Sequence, residues 1–282
     1  MREIAYVNGV YSNLGEATIP VEDRGLQFGD SVYEVVRIYG GAPFRMLPHL
    51  ERLRQGATVI GIPTEHLEEL ETVSHEVLSR SEVGDGILYF QVTRGVCPRS
   101  HVLRDPCVKP TVIVYARSVP RSQGPNPSRA ITHEDLRWPW AFVKSTTLLP
   151  NVMMQTKALK QGAHDCILYR GGMVTEGTRT NVFGVIDGVL RTAPLSNYIL
   201  AGVTRQAVLE VADKLAIPVR EWPISMDELD RAEEAFFCGT VGEITPIICI
   251  NGEPVGTGEI GPVTQQLMRG LEQLIDQETK QG

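Results

Sequence analysis

The chain is poor in everything that would staple it, anchor it or draw it to an anionic polymer. Its five cysteines, Cys97, Cys107, Cys166, Cys238 and Cys249, form no C-x-x-C pair and are odd in number. That argues against a disulfide framework or a thiolate zinc site and for reduced, buried thiols in a reducing compartment. No apolar run approaches the ~18 residues that span a bilayer. The N-terminus, Met1 to Val7, runs into strand-like sequence with no basic segment followed by an apolar one. The expectation is a cytoplasmic protein without membrane association. Positive charge is also scarce: 27 Lys and Arg stand against 34 Asp and Glu, a net charge of −7. A surface of that sign repels phosphodiester backbones, so nucleic acid is excluded as a general partner, and any anionic ligand must be caught by a few local arginines. There is no internal repeat, no His-Glu-x-x-His and no Gly-x-Ser-x-Gly. A metalloprotease and an elbow-type serine hydrolase are therefore not expected, nor is a bound metal.

What is present is an ordinary globular composition, 42% apolar and 22% charged over 282 residues, enough for roughly two domains at ~150 residues each. The first forty-odd residues read as β structure. Ile4–Val7 meets Val10–Tyr11 across Asn8-Gly9, and Ser31–Phe44 folds back at Gly40-Gly41. Pro48 opens a helix from His49 to about Gly61, a second helix covers about His66 to Arg80, and Gly86–Arg94 and Thr111–Ala116 are strands. Val119 to Ser128 is rich in Pro, Gly and Ser and reads as a linker. Beyond it, strands are expected at Trp140–Val143, Asp165–Tyr169, Asn181–Ile186, Phe236–Cys238 and Ile247–Ile250. Helices are expected from about Asn151 to Lys160, Thr204 to Ala216 and Val263 to Ile275. The reading is an α/β protein of the α+β kind, with a smaller N-terminal domain over 1–118, a linker over 119–129 and a larger C-terminal domain over 130–282.

A lysine that does covalent chemistry must sit on rigid structure, partly desolvated. Lys144 ends the apolar run Trp138-Pro139-Trp140-Ala141-Phe142-Val143, and a strand delivering an ammonium into an apolar region is costly without a purpose. The alternative is a strand-end lysine reaching to solvent. Lys157 and Lys160 read as solvated charges at a helix end.

The segment Lys144-Ser145-Thr146-Thr147-Leu148-Leu149-Pro150-Asn151, followed by Ala158, Gly162, Asp165, Ile167-Leu168, Glu176-Gly177 and Asn181-Val182-Phe183, resembles the signature of class IV pyridoxal-phosphate aminotransferases. Asp23-Arg24-Gly25 with Phe28-Gly29-Asp30, His49-Leu50-Glu51-Arg52-Leu53, Gly202-Val203-Thr204-Arg205 and Glu243-Ile244-Thr245-Pro246 extend the resemblance over nearly the whole chain. It implies fold type IV, a homodimer, small amino-acid and keto-acid substrates, and pyridoxal 5′-phosphate held as a Schiff base on Lys144, the same amine then shuttling the substrate proton. It further implies that Glu176 meets the cofactor ring nitrogen and Leu200 packs on the ring face. The phosphate falls to Arg52, Val203, Thr204 and Thr240, and each choice suits its task. A guanidinium engages phosphate oxygens in a bidentate manner, and a helix N-terminus offers free N–H groups.

Arg99-Ser100-His101 looks like the Arg-x-His substrate loop of D-amino-acid aminotransferases. There the arginine and histidine come from the neighbouring subunit and bind the substrate α-carboxylate together with a tyrosine, here Tyr33. Fixing the carboxylate on one side would decide which face of Cα meets Lys144, and so select the D enantiomer. One departure is Thr178-Arg179-Thr180, where those enzymes carry a run of small hydroxyl residues. Arg179 would add positive charge near the cofactor and favour acidic substrates, or else turn outward. The expected activity is D-amino-acid transamination to 2-oxoglutarate or pyruvate. Open alternatives are a branched-chain L-amino-acid or (R)-amine transaminase, an aminodeoxychorismate lyase, and a non-catalytic binding protein of the same fold.

Overall fold

The computed structural model describes residues 2–103, 109–121, 124 and 126–280. Cys107, and Ser122, Gln123 and Pro125 of the stretch read as a linker, lie outside the described residues. The chain divides into two compact units, and the division is not a single cut. One unit takes the described residues up to Arg121, then Val143–Thr147 and those from Glu278; the other takes those from Gly124 to Phe142 and Leu148–Gln277. The five residues around Lys144 thus belong with the N-terminal unit, although both their flanks belong to the other.

The first unit is built on a sheet of β1 (Ile4–Val7), β2 (Val10–Asn13), β3 (Ser31–Tyr39), β4 (Ala42–Pro43), β5 (Gly86–Thr93) and β6 (Thr111–Ser118) in the order β2-β1-β6-β5-β3-β4. Every pairing is antiparallel. Alternation decides its faces. Val32, Val36 and Ile38 of β3 and Leu88, Phe90 and Val92 of β5 are buried in one core with Leu53 and Ala57 of α2 (Met46–Val59) and Val73 and Val77 of α3 (Leu70–Arg80). The other face carries Tyr33, Tyr89 and Tyr115, stacked with ring centroids 5.9 and 4.8 Å apart. α2 starts at Met46, earlier than Pro48 suggested, because a proline in the first turn loses no intrahelical hydrogen bond. A short helix not read from the sequence, α1 (Arg24–Phe28), is capped by Asp23, whose side chain accepts from the Gly25 N–H, and ends at Gly29 with φ +66°.

The second unit's sheet runs β12-β11-β10-β13-β14-β7-β8-β9, with β15 added on β14. Its strands are β7 (Ser128–Glu134), β8 (Asp165–Arg170), β9 (Met173–Gly177), β10 (Asn181–Ile186), β11 (Val189–Thr192), β12 (Val219–Glu221), β13 (Glu234–Gly239), β14 (Glu243–Ile250) and β15 (Glu253–Pro254). The pairings β11–β12, β14–β7 and β7–β8 are parallel and the rest antiparallel. β10 is buried at every residue, as a strand covered on both faces must be. α4 (Leu149–Lys160) packs on β7 and β8, α5 (Val203–Lys214) on β13, and α6 (Met226–Leu229) on β10. α7 (Pro262–Thr279) is started by a strand residue: the buried Glu234 carboxylate accepts from the N–H groups of Val263 (3.0 Å) and Thr264 (2.7 Å).

Three sequence readings change here. β7 begins at Ser128, inside the stretch read as linker. Trp138 to Phe142, read as leading into and forming a strand, is a run of turns. Pro139 supplies no N–H for a ladder, and the aromatic rings meet one another tilted, with centroids 5.8 and 6.0 Å apart, while staying more than a third exposed. Lys144 therefore does not end a buried strand; of its approach only Val143 is in the core. Finally, Cys166 and Cys238 are buried but Cys97 and Cys249 only half-buried. Burial pushes the Cys166 and Cys238 thiols up to about 11 and about 12, which makes both inert. Among the described residues no helix is long and apolar enough to cross a membrane.

Candidate active site

Lys144 is fixed by backbone contacts with β3. Its carbonyl accepts from the Tyr33 N–H at 2.9 Å, the Thr146 N–H donates to Ser31 at 3.1 Å, and Ser145 bridges Val32. The side chain lies over the Tyr33 ring, Nζ 4.3 Å from its centroid, a cation–π contact that holds the amine without consuming its hydrogens. On the opposite face of β3, between Val32 and Val36, stands Glu34, fully buried. Arg52 of α2 closes on it with two hydrogen bonds, Nε to Oε1 at 2.6 Å and Nη2 to Oε2 at 2.9 Å, and His49 Nδ1 lies 2.8 Å from Oε2. The guanidinium assigned to phosphate is thus held in one plane by a carboxylate that the sequence reading did not single out. A charged residue at an inward position of an apolar strand is the signal that could have found it.

Burial opposes the Glu34 charge, yet Arg52 and His49 hold its carboxyl at about 2. Burial drives His49 the other way from protonation, below its ordinary 6.5, against Glu34 and helped by Arg52 and Lys144. Both shifts are downward, so both stabilise the fold at neutral pH and lose that contribution in acid. His49 begins to act below about 6.5, and Glu34 from 4.5 toward about 2. Glu34→Gln is expected to cost about 2 kcal/mol at pH 7 and to flatten the acid limb of stability. Urea titrations at pH 7 and pH 4 check this; an unchanged acid limb would rule the triad out as its origin.

In the second unit Glu176, on β9, is the centre of a buried network. Arg137 donates to one carboxylate oxygen; the other accepts from Asn181 Nδ2 and from the Leu200 N–H, both at 3.0 Å. Asn181 also donates to the Leu200 carbonyl at 3.0 Å. Arg137 is held in turn by Asp135, Nε to Oδ1 at 2.9 Å and Nη2 to Oδ2 at 2.8 Å. Burial raises the Glu176 carboxyl above the ordinary carboxylate range, against Arg137 and the Leu200 N–H. Burial also works against the Arg137 charge, but Glu176 and Asp135 outweigh it, so the guanidinium stays protonated. The hydrogen-bond partners of Glu176 are all donors, the setting that fixes a carboxylate in place and favours its charged form. Asp135, Arg137 and Asn181 were not assigned roles from sequence, although Asn181 lies in the quoted signature.

The structure links Leu200 to Glu176 directly and sets the start of α5, with Val203 and Thr204, beside Asn181. Gly202 precedes α5, and a Cβ there would stand 2.1 Å from Asn181 Oδ1, so glycine is what lets the helix start lie so close. Thr240 is half-buried just after β13, and its neighbour Gly239 approaches the 178–180 turn, a Cβ there lying 3.4 Å from Thr180 Cγ2. That turn is fastened from below. The buried Asp165 carboxylate accepts from the Thr178 hydroxyl at 2.5 Å and the Thr180 hydroxyl at 3.1 Å. Arg179, at its tip, is exposed. Arg99 and His101 are exposed as well, and their contacts are with Phe28, not with Tyr33.

A pinned lysine and a guanidinium locked by a carboxylate in one unit, and a buried glutamate beside a helix start in the other, occur in a chain that belongs to the class IV aminotransferases. The description "Amino-transferase class IV" matches residues 31–250. Among named relatives, the D-alanine aminotransferase of Staphylococcus aureus (strain MSSA476) is 37% identical over 277 residues, 97% of this chain and 98% of that protein. The D-alanine aminotransferase of Bacillus licheniformis is 38% identical over 96% of this chain and 97% of its own. Among solved structures, the branched-chain amino acid aminotransferase of Escherichia coli superposes with a TM-score of 0.88 at 27% identity, over 99% of this chain and 96% of that one. The T.th. branched-chain amino acid aminotransferase with pyridoxamine 5′-phosphate gives 0.88 at 27% identity, over 100% and 96%. The protein is an enzyme of fold type IV.

Proposed function

We propose that the chain is a D-amino-acid transaminase, working in the cytoplasm as a homodimer with pyridoxal 5′-phosphate, that moves an amino group from a D-amino acid to 2-oxoglutarate or pyruvate in ping-pong fashion. The observation that carries this reading is the near-full-length similarity to D-alanine aminotransferases of two genera. The residues present suit the cofactor. A primary amine is held on an aromatic face, a guanidinium is presented in a fixed plane, and a buried carboxylate is ringed by donors. When bound, the cofactor supplies an aldehyde for the amino nitrogen and a ring that draws electrons from the substrate Cα.

The chain's own residues divide the remaining work. Lys144 would bond the cofactor aldehyde at rest and, once displaced by the substrate amine, its Nζ would carry the proton from the substrate Cα to the former aldehyde carbon. Glu176, a carboxylate ringed by donors, would face the ring nitrogen and keep a proton on it. Arg52, the N–H groups of Val203 and Thr204 and the Thr240 hydroxyl receive the phosphate, while Leu200 covers the ring. Tyr33, with Arg99 and His101 of the neighbouring copy, binds the α-carboxylate. Arg179, exposed at the tip of the Asp165-fastened turn, receives the second carboxylate of an acidic substrate.

The fold likeness to branched-chain enzymes favours the second reading, an L-amino-acid transaminase. Single-turnover mixing of the holoenzyme with D-Ala, D-Glu, L-Leu and (R)-1-phenylethylamine separates the two. The D-amino acids are expected to react fastest; a faster L-Leu would replace the substrate assignment and spare the cofactor. In steady-state assays Arg179→Ser is expected to raise the KM for D-Glu about tenfold, one charge-assisted contact, and to leave D-Ala unchanged. Equal values for D-Glu would remove Arg179 from the pocket.

A further inference from the structure

The loop that bears Arg99 and His101 is tied to α1 at its start and again at Ser100, between the two. Arg24 donates through its backbone N–H to the Gly95 carbonyl at 2.9 Å and through Nη1 to the Ser100 carbonyl at 2.7 Å, and Val96 bridges Asp23. α1 is itself a firm base. Asp23 accepts from the Gly25 N–H at 2.8 Å and from the Thr93 hydroxyl at 2.9 Å. A Cβ on Gly25 would stand 2.5 Å from Thr93 Cγ2, so the helix lies hard against the end of β5. Arg24 is further fixed by Asp30, Nε to Oδ2 at 2.8 Å.

At the end of this helix stands Phe28. The Arg24 guanidinium carbon lies 4.6 Å from its ring centroid and that of Arg99 4.5 Å. The His101 ring meets it edge-on, at 5.4 Å and 66°. The two arginines differ in one respect. Arg24 has a carboxylate partner, whereas Arg99 makes no ion pair among the described residues. An acidic partner would hold Arg99 more firmly, but it would occupy the N–H groups and cancel the charge that an incoming carboxylate needs. An aromatic face restrains the guanidinium plane through the ring's quadrupole and leaves all five N–H donors available. The edge-on contact likewise leaves both ring nitrogens of His101 unused.

We infer that Phe28 is a positioning residue for substrate recognition, holding Arg99 and His101 in one arrangement toward the substrate α-carboxylate. The inference rests on the reading above that these two groups receive that carboxylate. Both half-reactions use a 2-amino or 2-keto carboxylate, so loss of the ring raises the KM of donor and acceptor alike and leaves the proton-transfer machinery in place.

The test compares Phe28→Leu and Phe28→Tyr in the holoenzyme, with Arg99→Ala and the Phe28→Leu/Arg99→Ala double variant. Phe28→Leu is expected to raise KM for D-Ala and for 2-oxoglutarate about tenfold, with kcat changed less than about threefold. Phe28→Tyr, which keeps the ring, restores the parent KM. In the Arg99→Ala background Phe28→Leu is expected to add clearly less than it does in the parent, because one of the two groups it positions is gone. Phe28→Met keeps the bulk without the ring face and carries the same expectation, so misfolding of the leucine variant does not end the test. If Arg99→Ala leaves KM unchanged, the carboxylate reading fails and takes this inference with it. If Arg99→Ala raises KM while Phe28→Leu and Phe28→Met do not, or if their effect is the same in both backgrounds, the positioning role is overturned and the carboxylate reading stands.

Discussion

Lys144→Ala is expected to reduce transamination by about three orders of magnitude or more, because it removes at once the amine proposed to hold the cofactor aldehyde and the base proposed to move the Cα proton; general acid–base assistance alone is worth about 10²–10⁴. The other lysines near it in sequence cannot substitute. Lys157 and Lys160 lie on the exposed side of α4, whereas Lys144 is pinned through its own carbonyl to the Tyr33 N–H. The variant should fold, since the backbone contacts that fix the segment do not involve the side chain. Two measurements decide the matter: steady-state turnover, and peptide mapping after borohydride treatment of the parent enzyme. Parent-like turnover in the variant, or a label on another peptide, would remove Lys144 from the chemistry.

The largest stability effect is expected at Arg137. Arg137→Met takes away the guanidinium shared by Asp135 and Glu176, both buried. Asp135 keeps Arg170 at 3.7 Å, but Glu176 is left with no ion-pair partner among the described residues. Breaking a buried ion pair by deleting one partner costs about 3–5 kcal/mol. The surviving protein should bind a proton on Glu176, whose carboxyl is raised from 4.5, so its stability should rise as pH is lowered from neutral toward 4.5, opposite to the behaviour expected of the Glu34 site. Urea denaturation across that range reads both effects. A loss under about 1 kcal/mol would mean that solvent reaches the pair and that Glu176 is not held as described.

How much of this is legible in the sequence follows from the range of the interactions. The hairpin at Asn8-Gly9 is legible because its signal is local: both residues take positive φ, +47° and +95°, which asparagine and glycine tolerate. The long helices and the buried strands are legible from their periodicity, and motif context is what proposes roles for Lys144, Arg52 and Glu176. What holds those residues is not. Glu34 meets Arg52 from eighteen positions away, and Arg137 reaches Glu176 across thirty-nine; nothing local announces either pairing. The Trp138–Phe142 run misleads because apolar content does not guarantee burial, and three mutually tilted rings with a proline make a turn instead. The short pieces α1, α6 and β12 fall below the length at which periodicity can be read.

The non-sequential course of the chain bears on how such a protein can be dissected. A gene fragment ending after β6 would encode a sheet whose third strand still offers the Tyr33 N–H and the Ser31 carbonyl to a five-residue splint encoded more than twenty codons downstream. The splint carries Lys144, the proposed nucleophile, so neither half is a portable cassette. Recombination that exchanged one half for a homologue's would have to preserve the fit of Ser145 against Val32 or lose the reactive amine's alignment with it.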